Sequence, residues 1–75
     1  MYQTRDMGYA AYLICVGYRF INAVKDGGYV YFNFANESGI ENEEDEYRIH
    51  DASVVARKFN DVLKQLKKLV VELMR

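Results

Sequence analysis

Seventy-five residues with a net charge near −1, 51% hydrophobic and 15% aromatic, exclude a disordered chain, which lacks the apolar content to bury. They also exclude a globally basic polyanion binder, which neutralises phosphates with a surplus of Lys and Arg. A lone cysteine and a lone histidine exclude an intrachain disulfide and a structural zinc site of the Cys/His kind.

A chain this short buries only about 60% of its unfolded surface. Without staples it relies on dense packing or self-association, so a homodimer or higher homo-oligomer is expected. Met1 to Asp6 is polar and carries no secretory pattern. The apolar run from Met7 to Val16 is too short to span a bilayer, which takes about 20 residues. The expectation is a soluble, cytoplasmic, reducing setting with no membrane partner. Cys15 then reads as a small buried hydrophobe.

The first element is a predicted helix over Met7 to Val16. Thr4 serves as its N-cap, Asp6 complements the dipole in its first turn, and Gly17 takes the C′ position that ends it. Met7, Ala10, Ala11 and Ile14 form the core face. The other side should be polar but holds Tyr9, Tyr12, Leu13 and Val16. A helix that is apolar all round is buried all round, and part of that cover is expected from a second subunit.

A β-hairpin follows, from Tyr18 to Lys25 and from Tyr29 to Phe34. With Asp26-Gly27-Gly28 as a three-residue loop, a glycine occupies the left-handed position such loops need. Phe20, Asn22 and Val24 then share the core face with Val30, Phe32 and Phe34. Arg19, Ile21, Ala23, Lys25, Tyr29, Tyr31 and Asn33 share the other. A two-residue loop swaps one strand's faces.

Seven of the eleven acidic residues lie between Glu37 and Asp51, which reads as a solvated loop. Its spacing lacks the ligand pattern and glycine of an EF-hand. Tyr47-Arg48-Ile49 is a candidate third strand at the sheet edge. Asp51 or Ser53 caps the last helix, whose stripe of Phe59, Val62, Leu66, Leu69 and Leu73 is widened by Leu63, Val70 and Met74. Six of the ten basic residues lie in this helix. The expected fold is a single α+β domain over residues 1–75. It is a small α-β-β-α unit, with an antiparallel hairpin and a short third strand covered on one face by two helices.

Thr4-x-Asp6, Ala10-Ala11-Tyr12-Leu13, Gly17-Tyr18, Phe32-x-Phe34, Ala56-Arg57-Lys58-Phe59 and Leu66-Lys67 stand in an order that resembles a family of short phage and prophage proteins known only as a domain of unknown function. Where this chain has Val55, that family carries an acidic residue. The resemblance spans nearly the whole chain and implies a phage or mobile-element origin, hence the host cytoplasm. It implies no catalytic residues.

No enzymatic constellation is present in the sequence. Gly27-Gly28 lacks the lysine and Ser/Thr offsets of a P-loop. Cys15 and His50 are a poor nucleophile and base, because an apolar helix keeps the thiol protonated. Neither an enzyme nor a cofactor or metal is expected.

Binding is better motivated. Tyrosines beside cations stack a planar group and hold an anion. The candidate ligand-binding set is Tyr18, Arg19, Lys25, Tyr29, Tyr31, Arg48, His50 and Arg57. The leading expectation is a non-enzymatic phage-type homo-oligomer that sequesters a small nucleotide-like ligand, such as a host immune signal. The alternatives are a nucleic-acid-binding module using the basic helix, or a protein inhibitor acting through the acidic loop.

Overall fold

The computed structural model describes residues 1–35, 39–40 and 56–75. Its elements are β1 (Tyr2–Thr4), α1 (Met7–Cys15), β2 (Phe20–Asp26), β3 (Tyr29–Phe34) and α2 (Ala56–Leu73). The three strands form one antiparallel sheet in the order β1-β3-β2, and the helices pack on it. The α+β class and the helix-covered hairpin are as expected. The third strand is Tyr2–Thr4, a stretch whose polarity hid a strand too short to alternate visibly. The candidate strand at Tyr47 to Ile49 and the caps Asp51 and Ser53 lie outside the described residues.

Asp6, not Thr4, caps α1. Asp6 is extended, and its Oδ1 accepts from the Tyr9 backbone N–H at 3.0 Å. Thr4 instead closes β1, and its Oγ1 accepts from the Asp6 N–H at 3.1 Å. The two residues divide the start between them, one ending a strand and the other opening a helix. At the far end, Gly17 stands at C′ with φ +104°. Its N–H donates to the Ile14 carbonyl and that of Tyr18 to Leu13, the pair of bonds that defines a Schellman ending. A Cβ at Gly17 would meet nothing within 4 Å, so Gly17→Ala costs only backbone strain. Urea denaturation should show a loss of about 1–2 kcal/mol.

The hairpin loop is two residues long, not three. Asp26 pairs with Tyr29, and Gly27 takes φ +63° at the first loop position, the glycine site of a tight II′ turn. The faces of β2 change accordingly. Ala23 pairs with Phe32 and Lys25 with Val30, while Asn22 pairs with Asn33 and Val24 with Tyr31. Ala23 and Lys25 therefore lie on the helix-covered side, and Asn22 and Val24 lie with the tyrosines. Phe20 stays in the core because the register shifts between Phe20 and Asn22. This bulge takes up Ile21, which is 48% exposed, and returns Phe20 to the side of Phe34.

The core is Tyr9, Ala10, Ala11, Tyr12, Leu13, Phe32, Phe34, Ile40 and Leu66. The second face of α1, expected to await another subunit, is covered within the chain itself. The Tyr2 ring meets Tyr9 edge-on at 6.3 Å, the Tyr9 hydroxyl donates to the Ile40 carbonyl at 3.4 Å, and α2 packs alongside. Only Val16 of that face is exposed. Alanines at positions 10 and 11 are fully buried, and their small side chains let neighbouring elements approach closely. The α2 stripe is as predicted from Phe59 to Val70, centred on buried Leu66, but Met74 at its end is exposed.

The helices run antiparallel. Lys58 reaches the Cys15 carbonyl at 3.5 Å at one end, and Met7 shares a cleft with Val70 and Met74 at the other. The Lys58 contact is long for a hydrogen bond but sets a cation at the negative end of α1. Among the described residues no helix is long and apolar enough to cross a membrane.

Candidate binding face

The sheet has one side committed to the core through Phe20, Ala23, Val30, Phe32 and Phe34. Its other side carries Gln3, Asn22, Val24, Asp26, Tyr29, Tyr31 and Asn33, and no described helix packs there. This is the face on which β3 was expected to project its tyrosines, and it does. Tyr29 is 56% exposed and Tyr31 is half-buried.

Two features organise this face. The first is a row of amides across all three strands. Gln3 Nε2 donates to Asn33 Oδ1 at 2.9 Å, and Asn33 Nδ2 donates to Asn22 Oδ1 at 2.9 Å. Asn33 is the one buried polar residue of the described chain, at 3% exposure. Its amide is satisfied on both sides, as a buried polar group must be. The second is Arg5, whose guanidinium carbon lies 4.3 Å from the Tyr29 ring centroid. At an exposed site such a contact contributes roughly 0.5–1 kcal/mol. Arg5 makes no salt bridge with a described carboxylate, so its donors remain for an anion. Asp26, paired with Tyr29 across the hairpin, adds an acceptor beside the ring.

The predicted site residues divide. Tyr29 and Tyr31 share this face. Lys25 does not: its register with Val30 puts it on the opposite side. Tyr18 is half-buried at the end of α1, where its hydroxyl lies 3.4 Å from where a Gly39 Cβ would stand. Arg19 precedes β2, and its carbonyl accepts from the Ala35 N–H at 3.0 Å. Arg57 is exposed in the first turn of α2. Tyr29 lies beside Val70 and Met74, and thirteen residues of helix put Arg57 roughly 20 Å from that level. The structure does not bring it to the tyrosines. Arg48 and His50 lie outside the described residues. The cation that stacks on Tyr29, Arg5, follows β1, the strand that sequence reasoning did not predict. The available signal was Arg5 following a Tyr-Gln-Thr run of strand-forming residues.

Cys15, half-buried, is a poor nucleophile at neutral pH. Burial pushes its thiol up, and the nearby Lys58 ammonium offsets only part of this. Less thiolate at neutral pH means slow chemistry. Iodoacetamide at pH 7.5 should alkylate Cys15 several-fold more slowly in the folded protein than in urea. Equal rates would show the thiol to be open.

No family model matches this chain, and no curated protein or solved structure matches it.

Proposed function

We propose that this chain is a non-enzymatic binding protein that captures a nucleotide-like ligand on the open sheet face. The observation that carries the reading is the Arg5 guanidinium against Tyr29, with Tyr31 two residues along the same face. An aromatic surface stacks a base of any identity. Arg5 supplies charge-assisted donors for a phosphate, and Asp26 and Asn22 supply hydrogen-bonding groups for a base edge. Self-association adds a second such face and covers exposed apolar side chains such as Ile21 and Val24.

Calorimetry with mononucleotides, cyclic nucleotides and cyclic dinucleotides tests this. At least one should give saturable heat. Tyr31→Ala should weaken it by about 1–3 kcal/mol, roughly 5–150-fold, without unfolding the chain. No heat with any of them removes the proposal.

A second reading has its own observation. Lys64, Lys67, Lys68 and Arg75 line one groove of about 350 Å³ on α2, with Val71 and Glu72. Four cations against one acid suit a nucleic-acid backbone. Gel shifts that weaken steeply with salt, and that survive Tyr31→Ala, would favour it.

A further inference from the structure

The sheet has an unfinished edge. β3 is the central strand, flanked by β2 along its whole length, but β1 pairs only with Phe32, Asn33 and Phe34. Beyond Thr4 the chain turns away into α1, so among the described residues Tyr29, Val30 and Tyr31 have a strand on one side only. The residues flanking a two-residue hairpin loop exchange their backbone bonds with each other, and the next residue turns its N–H and C=O outward. Asp26 and Tyr29 are that flanking pair, so the Val30 backbone faces the open edge. Among the described residues Val30 makes no backbone bond outside the sheet.

Beside this edge lies an open-sided cleft of about 260 Å³, lined by Met7, Val30, Phe32, Val70 and Met74 with Arg5 and Tyr29 at its rim. That is below the roughly 300–1,000 Å³ of pockets that enclose small molecules, and it opens along a strand edge. It suits one side chain presented by an extended backbone.

We propose that this edge is a peptide-docking site, at which an extended segment of another protein adds as a strand in line with β1. Its backbone pairs with Val30. One apolar side chain, leucine-sized, enters the cleft between Val30 and Met74. Because strand neighbours alternate sides, the residue next to it falls on the tyrosine side, where an acidic side chain meets Arg5. The charge of Arg5 and the apolar lining together select the occupant, an acidic–aliphatic alternating segment. The site shares Arg5 with the nucleotide reading but is separable from it: docking uses the edge and the cleft, whereas that reading needs Tyr31 and the open face.

Fluorescence anisotropy with a labelled octapeptide of alternating glutamate and leucine tests it, against the same peptide N-methylated on alternate residues in each of the two phases. Binding should saturate, fall at least fivefold with Arg5→Glu or Met74→Glu, and be lost in the N-methylated phase that removes the edge-facing donors. It should be unchanged by Tyr31→Ala, which weakens nucleotide binding if that other reading holds. Binding that ignores both N-methylated phases, or that falls only when Lys64 and Lys67 are changed to Ala, marks attraction to the basic helix and overturns the proposal. So does the absence of any binding. Met74 is exposed, so its variant reports on the site and not on folding.

Discussion

Phe34→Ala should remove about 3–5 kcal/mol of folding stability at 25 °C, whereas Tyr31→Ala, three residues away on the same strand, should remove only about 1 kcal/mol. Phe34 is fully buried and meets the Phe20 ring edge-on at 5.5 Å. Its removal takes away the transfer free energy and the paired ring contact, and leaves a cavity, together about 3–5 kcal/mol. A domain of this length is stabilised by only on the order of 4–11 kcal/mol. One ring is therefore a large part of what holds the chain folded. Tyr31 faces the other side of the sheet and is half-buried, so its truncation should cost about 1 kcal/mol. Urea denaturation followed by far-UV circular dichroism separates the two cases. A loss above about 3 kcal/mol for Tyr31→Ala would invert the assignment of the faces, and the proposed binding face with it.

The strand-to-strand contrast also shows what could be read in the sequence. β3 carries its pattern openly: Val30, Phe32 and Phe34 alternate with Tyr29, Tyr31 and Asn33, and both faces of that strand were legible. β2 carries no such contrast. Phe20, Ile21, Ala23 and Val24 are apolar on both sides, so its register depended on loop length, and Asp26-Gly27-Gly28 suits two loops equally well. Because the side-chain period is two, the wrong loop moved Lys25 onto the tyrosine face and Val24 into the core. The bulge at Ile21 then corrected Phe20 but nothing after it. A local hydrophobic pattern cannot reveal a bulge that compensates for a turn.

The helices were legible for a different reason. Gly17 and the α2 stripe are local signals, one conformational and one periodic. The cap was misplaced by two residues because Thr4 and Asp6 are both good caps, and only the unseen β1 decides between them. Missing β1 had the largest functional consequence. It hid Arg5, the cation stacked on exposed Tyr29, and Gln3, the first member of the amide row. A three-residue strand has too few positions to show alternation, and its partner lies some thirty residues away. Of the candidate cations Arg19, Lys25, Arg48 and Arg57, the fold separates Lys25 and Arg57 from the tyrosines.

Asn33 provides the sharpest test of how the open face is built. Its side chain is buried on the same face as Tyr31, held by Gln3 on one side and Asn22 on the other. In Asn33→Asp the carboxyl keeps the acceptor that Gln3 needs and loses the donor to Asn22. Asn22 can turn its amide to donate instead, and this offsets part of the cost of a buried charge. Desolvation remains, and it raises a carboxyl above its unfolded value near 3.9. The folded variant then holds a proton that the unfolded chain has released. Stability is therefore fully present below the unfolded value and is lost as pH rises through the raised folded value. Relative to the native chain, Asn33→Asp should be nearly neutral at pH 3.5 and destabilised by about 2–3 kcal/mol at pH 7. Asn33→Ala, which removes the hydrogen bonds without adding a charge, should cost about 1–2 kcal/mol at both pH values. Paired urea titrations of the three proteins at the two pH values measure this. If Asn33→Asp matches Asn33→Ala at pH 7, position 33 is hydrated, and the amide row belongs to the surface that a ligand touches. If the gap opens with pH as expected, the Asn33 amide is part of the scaffold, and recognition is left to Arg5, Asn22, Asp26, Tyr29 and Tyr31.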